Sequence, residues 1–374
     1  MNVYLDHAAT TPLDEDVLDA MTPYFGAVFG NASSLHGWGQ RALHAVDRAR
    51  LQVAEVIHCR PEEVYFTSGG TESDNWALKG VLAGRPGARV IVSAVEHPAV
   101  LRAAEQLAEC GHPVTYLPVS AEGVVDTARL ASALTDDVAL VSVMAVNNEV
   151  GTIQPIREVA ELCHAHGALV HTDAVQALGA MPVDVQDWGV DLLSLSAHKF
   201  YGPKGVGALY VRRGVSIRPL LAGGRQERDK RGGTYNTPGI VGLAAALVKT
   251  AERMPRDAAH IRALSARLTQ GLTALGAHLA VPEDKRIPAI VGVWFDRVDG
   301  DALLARMDLE GVAVGRGSAC SAGTGEPSHV LTAMGASEDA IKGTIRLSLG
   351  RANSFADVED TLALLRRILP SVRG

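Results

Sequence analysis

Cysteine is scarce here: four in 374 residues, Cys59, Cys110, Cys163 and Cys320, and no Cys-x-x-Cys pair occurs. That spacing disfavours a zinc ribbon and a thioredoxin-type redox pair. A disulfide framework needs a far denser supply. Neither sign of charge dominates, with 35 Lys and Arg against 42 Asp and Glu for a net −7. Nothing in that balance suggests a nucleic-acid binder or a membrane-surface protein. No apolar run approaches the ~18 residues of a membrane span. The start, MNVYLDHAATTPLDED, puts acids where a signal peptide needs basic and then apolar residues. The expectation is a cytoplasmic, reducing compartment. Repeats, low-complexity tracts and charge blocks are also missing.

What is present fits a globular enzyme: 47% hydrophobic and 21% charged residues. At ~100–200 residues per domain, 374 residues imply two domains. Short β-branched apolar runs at Arg89–Ser93, Val138–Met144, Ala168–Thr172, Leu192–Ser196 and Gly207–Val211 read as strands buried on both faces of a parallel sheet. Helical stretches lie between them, Ala99–Cys110 and Pro155–His166, the second with Pro155 at a first helical position. That rhythm is an α/β sheet between helices. Gln40–Ile57 carries Leu43, Val46, Val53 and Ile57 on one helical face. After residue 250 the texture changes to helix Ala258–Leu275, strand Ile290–Phe295, a Gly/Ser stretch at 315–325, strand Gly343–Leu349 and a closing helix capped by Asn353-Ser354. This reads as a smaller α+β domain. The expected division is a large domain over 14–255 and a small one from 1–13 with 256–374.

Polar residues directly after buried strands mark the ligand side of an open α/β sheet. TSGGTES (67–73) follows Val64-Tyr65-Phe66 and opens a helix from about Asp74; such a turn suits an anion, most often phosphate. In HTDAVQ (171–176), Asp173 is either a helix N-cap or a carboxylate awaiting a positive partner. In SLSAHKFYGPKG (194–205), Lys199 is either a surface lysine or an imine-forming one at the sheet's end. Together they are the parts pyridoxal phosphate needs: a phosphate seat, a carboxylate for the pyridine nitrogen, and a lysine for the Schiff base.

The motifs run on in order: YLDHAATTP (4–12), FGNASSLH (29–36), FTSGGTESDN (66–75), EHPAV (96–100), NNEVGTIQPI (147–156), HTDAVQ, SAHKFYGPKG (196–205), RGGTYN (231–236), GSACS (317–321) and IRLSLGR (345–351). With them the chain resembles the cysteine desulfurases of nitrogen fixation and iron–sulfur cluster assembly. These are class-V aminotransferases of the fold-type-I pyridoxal-phosphate enzymes. Gly232 stands where that family usually has serine, and AIVGVWFD (289–296) lacks asparagines often found there.

The resemblance implies pyridoxal 5'-phosphate with Lys199 as its lysine and Asp173 at the ring nitrogen. It implies Gln176 at the ring hydroxyl and His97 stacked on the ring, moving protons. Gly70, Thr71, Ser196 and His198 would hold the phosphate, with Thr234 added from the other subunit of a homodimer. Asn148 and Arg346 would address the substrate carboxylate, a task that suits the arginine fork. The implied activity is removal of sulfur from L-cysteine, giving L-alanine and a persulfide passed to an iron–sulfur scaffold or a thiolation enzyme. A selenocysteine lyase or an aminotransferase on the same scaffold is the alternative, and Cys320 speaks against the aminotransferase. The stretch around Cys320 is glycine-rich without apolar period, which predicts a mobile, exposed loop carrying the nucleophilic thiol. Cys163, His164 and His166 crowd together but on a helix point apart, so no metal site is expected. Cys59 and Cys110 are expected as small core or boundary residues.

Overall fold

The computed structural model describes residues 2–317 and 327–372. In chain order its strands are β1 (Val3–Leu5), β2 (Val64–Thr67), β3 (Arg89–Ser93), β4 (Val114–Leu117), β5 (Val138–Ser142), β6 (Leu169–Asp173), β7 (Leu192–Ser196), β8 (Gly207–Val211), β9 (Ala277–Leu279), β10 (Ile290–Phe295), β11 (Val312–Val314) and β12 (Ile345–Ser348). Seven of them form one sheet in the order β2-β8-β7-β6-β5-β3-β4. Every residue of β5, β7 and β8 is buried, as their mostly apolar runs imply.

The sheet is mixed. The neighbours from β7 to β4 pair parallel, but β8 is antiparallel to β7 and to β2. Only residues 197–206 join β7 to β8, too few for the dozen or more that a helical crossover takes. Two smaller sheets, β12-β10-β9 and β1-β11, share a second core that includes Leu5, Val293, Phe295 and Leu347. The N-terminal strand β1 therefore pairs with β11, more than 300 residues away in sequence.

Helix boundaries moved where side-chain patterns were weak. The helix opening at the phosphate-type turn begins at Gly70 rather than near Asp74. Pro155 is the N-cap of helix Ile156–Ala165 rather than its first residue. The helix read over 258–275 is the second half of Thr237–Ala274, whose glycine- and alanine-rich start hides its period, and it runs unbroken across position 255. Among the described residues, no helix is long and apolar enough to cross a membrane.

Candidate active site

The carboxyl ends of β5, β6 and β7 and the turn after β2 open on one cavity of about 250 Å³. Gly70, Thr71, His97, Asn148, Asp173, Gln176, Ser196, His198, Lys199 and Arg346, all singled out in the sequence, line it together.

One wall is the turn Thr67–Gly70. Its N-cap, Gly69, adopts φ 147° and has no side chain to satisfy the first amides of helix Gly70–Leu82. The N–H groups of Gly70 and Thr71 are thus available to an anion. An added Cβ at Gly70 would sit 3.0 Å from Val175 Cγ2 and 3.6 Å from Ser196 Cβ, so the turn lies against the ends of β6 and β7. Gly207 closes the turn from beneath: a Cβ there would be 2.5 Å from the Leu195 carbonyl oxygen and 2.7 Å from Gly69 Cα. Gly207→Ala is expected to lower stability by about 1–3 kcal/mol, as overpacking does. It should also displace the anion seat, and thermal melting with phosphate-ester affinity checks both.

Lys199 follows β7 in a single helical turn, 197–199. Its Nζ donates to the carbonyls of Ala8 at 2.6 Å and Ala9 at 2.9 Å, 191 and 190 positions earlier. Asp173 ends β6, buried, and accepts the Val175 N–H at 2.9 Å. Burial pushes its carboxyl up to about 6, while that N–H and the Lys199 charge restrain the rise. Gln176 is oriented by donating to the Ala8 carbonyl at 2.9 Å. His97 caps helix Pro98–Glu109 by accepting the Ala99 N–H on Nδ1 at 3.1 Å, which leaves its hydrogen on Nε2. Burial, then Lys199 and His329, pull its pKa down to about 4, so the ring is neutral. His198 Nδ1 meets the Thr10 hydroxyl at 3.1 Å, and burial pulls that ring down to about 4 as well.

Several groups escaped the sequence reading. Asp74 lines the cavity fully buried, and burial, then the charge of Asp173, raises its pKa well above the ordinary aspartate value. Glu96, beside His97, accepts the Ser93 hydroxyl and the Met144 N–H, each at 2.6 Å, and burial pushes it up to about 8. His171, two residues before Asp173, joins Ser142 at 2.8 Å and Ser194 at 3.0 Å in a buried row across β5, β6 and β7. The signal that could have found Asp74, Glu96 and His171 is a titratable residue inside a motif that ends a buried strand or opens the next helix.

The far wall gathers the chain ends. Arg346 on β12 is 1% exposed and donates to the Asn148 carbonyl at 2.6 Å and to Asp6 Oδ1 at 2.8 Å. Asp6 offsets the buried guanidinium charge, which would otherwise be costly. Glu149 is buried beside them and accepts the Ser328 hydroxyl at 2.5 Å. A Cβ on Gly317 would stand 2.6 Å from Glu149 Oε2, and the Gly317 carbonyl lies 3.4 Å from Arg346 Nη1. Both Gly317 and Ser328 thus abut this wall.

One expected residue stands apart from the cavity, and another is not described. Thr234 is exposed and lines a different, smaller pocket with Glu227 and Arg231. Cys320 lies outside the described residues. Of the other cysteines, Cys163 is buried, Cys59 half-buried, and Cys110 exposed rather than at a core boundary. His164 pairs with Asp191 at 2.8 Å. Among the described residues no group of three or more His, Cys, Asp or Glu is placed to hold a metal.

These residues fit pyridoxal phosphate: uncapped helix amides for a phosphate, a buried carboxylate for a ring cation, and a lysine held nearby in the same cavity. Comparisons with known proteins point the same way. The family model for aminotransferase class-V matches residues 3–361. The cysteine desulfurase IscS of Methanosarcina thermophila is 45% identical over 100% of this chain and 93% of its own. The cysteine desulfurase NifS of Azotobacter vinelandii is 42% identical over 100% and 94%. Among solved structures, a NifS-like protein superposes with a TM-score of 0.94 at 40% identity, covering 99% of this chain and all of that one. SspA in complex with cysteine reaches 0.83 at 36% identity, covering 94% of this chain and 100% of that one.

Proposed function

The chain belongs to the aminotransferase class-V family, and on that premise we propose that it is a cysteine desulfurase working through pyridoxal 5'-phosphate. It would remove sulfur from L-cysteine, leaving L-alanine and a persulfide on Cys320. The observation that carries this is the gathering of Lys199, Asp173, His97, Arg346 and an uncapped helix start around one cavity.

Residues of this cavity would hold the cofactor. Amides of Gly70 and Thr71, with Ser196 and His198, would take the phosphate. Asp173 would pair with the ring nitrogen, Gln176 reach the ring hydroxyl, His97 cover the ring face, and Lys199 Nζ bind it covalently. When bound, the cofactor supplies an electron sink for charge developing at the substrate's Cα.

The remaining chemistry belongs to the side chains. Arg346 and Asn148 would fix the substrate carboxylate, with Asp6 and the Asn148 carbonyl setting the guanidinium plane. Lys199 Nζ would take the Cα proton and return one, its position limited by the Ala8 and Ala9 carbonyls. Neutral His97, with its hydrogen on Nε2, would donate rather than accept at that nitrogen. The thiolate of Cys320 would attack the substrate sulfur, the S–S bond forming as the Cβ–S bond breaks, and Cβ would take up a proton to become the methyl of alanine. Cys320 is three residues past Gly317, a stretch of chain that spans at most about 11 Å, and Gly317 abuts the cavity wall.

Supporting a homodimer, Phe25, Phe29, Leu35 and Trp38 are all exposed, between 48% and 94%, apolar area that a partner would cover. The partner would supply Thr234. The persulfide would pass to a sulfur-acceptor protein in iron–sulfur cluster assembly or thiolation, within the cytoplasm. Residues 14–255 would form the cofactor domain, and 1–13 with 256–374 the smaller one.

The test is incubation of the cofactor-loaded protein with L-cysteine and a reductant. Sulfide and alanine are expected in equal amounts. Alanine without sulfide, or neither product, would overturn the reading.

A further inference from the structure

Residues 227–229 form a left-handed stretch of backbone: Glu227 at φ 45°, ψ 42°, Arg228 at φ 56°, ψ 47°, and Asp229 at φ 62°. None is glycine, and L-residues pay roughly 1–2 kcal/mol each in that conformation. Three in succession persist only when their surroundings over-determine them.

Two clamps do so. Buried Glu227 receives both terminal guanidinium nitrogens of Arg50, each at 2.8 Å, and the Phe66 N–H at 3.2 Å. The Tyr235 hydroxyl oxygen accepts the Glu227 N–H at 2.9 Å, closing the loop on itself. Farther on, Arg231 forks onto Glu72 at 2.9 and 3.1 Å, and Glu72 in turn accepts the Ser68 N–H at 2.8 Å. Gly232 admits no side chain without a shift, because a Cβ would fall 2.5 Å from Gly223 Cα. Both clamps end at the phosphate turn: at Phe66 just before it, at Ser68 within it and at Glu72 in the first turn of the helix it opens. Yet the loop they fix holds Thr234 exposed, away from its own chain's cavity. Strain and two ion pairs are unaccounted for by anything Thr234 does within one chain.

We propose that Arg50 and Glu227 are positioning residues. They lock loop 225–235 against the phosphate turn so that the Thr234 hydroxyl is presented to the phosphate monoester bound by a second copy of the chain. This rests on the homodimer reading above and extends it to the device that builds the donor. The ion pair is buried, so removing one partner strands the other and frees the loop.

The experiment measures the dissociation constant of pyridoxal phosphate from the full-length dimer by absorbance titration, with sedimentation and melting on the same samples. Thr234→Val should weaken binding about tenfold, the loss of one hydrogen bond to a charged group. Glu227→Gln should weaken it by a similar factor, and the double variant no further than the weaker single one. If Glu227→Gln fails to fold, Arg50→Lys, which keeps the charge and loses the fork, takes its place. Mixed dimers of Glu227→Gln with Lys199→Ala supply a readout that a purely structural role would not move. The site that keeps Lys199 then borrows Thr234 from an intact loop, and should bind with wild-type affinity. Wild-type affinity of Thr234→Val would sink the shared-site reading itself. A normal Thr234 effect with an additive loss in the double variant, or weak binding at that mixed-dimer site, would overturn the positioning role alone.

Discussion

Lys199→Ala should stop turnover of L-cysteine, by at least the ~10²–10⁴-fold that a positioned proton-transfer group contributes. Among the described residues lining the cavity, Lys199 is the only lysine, so no second amine can take over. His97 and His198, both pulled down to about 4, are weak bases. The Ala8 and Ala9 carbonyls hold Nζ where a proton can be passed, and alanine leaves that place empty. Two readouts separate chemistry from folding. The variant should melt near the wild type and lose its cofactor on gel filtration far faster. A small primary amine added to the assay should restore part of the rate. Alanine production at the wild-type rate would remove Lys199 from its role.

Cys320→Ala should cut sulfide release at least about 100-fold, a barrier change of roughly 2.7 kcal/mol. Cofactor retention and the absorbance change on adding L-cysteine should be unaltered. The contrast with the other three thiols makes the result decisive. Burial pushes Cys59 and Cys163 up to about 12, so neither offers thiolate at neutral pH. Cys110 is exposed at the end of helix Pro98–Glu109 and does not line the cavity. Each single change to alanine at these three positions should keep most of the activity. Wild-type sulfide release by Cys320→Ala, or its loss in Cys110→Ala, would reassign the nucleophile.

Strands were the most legible part of the fold. Arg89–Ser93, Leu192–Ser196 and Gly207–Val211 have the same limits in sequence and structure, because a strand buried on both faces is mostly apolar and stands out against its flanks. Helix starts were less so. The turn at Gly69-Gly70 begins its helix four residues before the expected Asp74, since a glycine N-cap leaves no side-chain signature. The antiparallel placement of β8 follows from connection length, a quantity visible in the sequence but masked by an apolar pattern common to both strand directions.

Motif order and residue type pointed, without any coordinates, to the kind of chemistry proposed here: a turn suited to phosphate, then Asp173, then Lys199, each at or just past the end of a buried strand. Periodicity could go no further, because it reports which face of an element is buried and nothing about which distant element covers that face. Tertiary packing decided the rest. It set Ala8 and Ala9 against Lys199, Asp6 against Arg346, and Arg50 against Glu227, pairs between 177 and 340 residues apart. It also decided how the buried acids titrate. Asp74 and Asp173 are both fully buried aspartates lining one cavity, yet burial and the charge of Asp173 raise Asp74 well above its ordinary value, while the Val175 N–H and the Lys199 charge restrain the rise at Asp173. Such differences arise from the desolvation and field of a folded interior, which no local stretch of sequence contains.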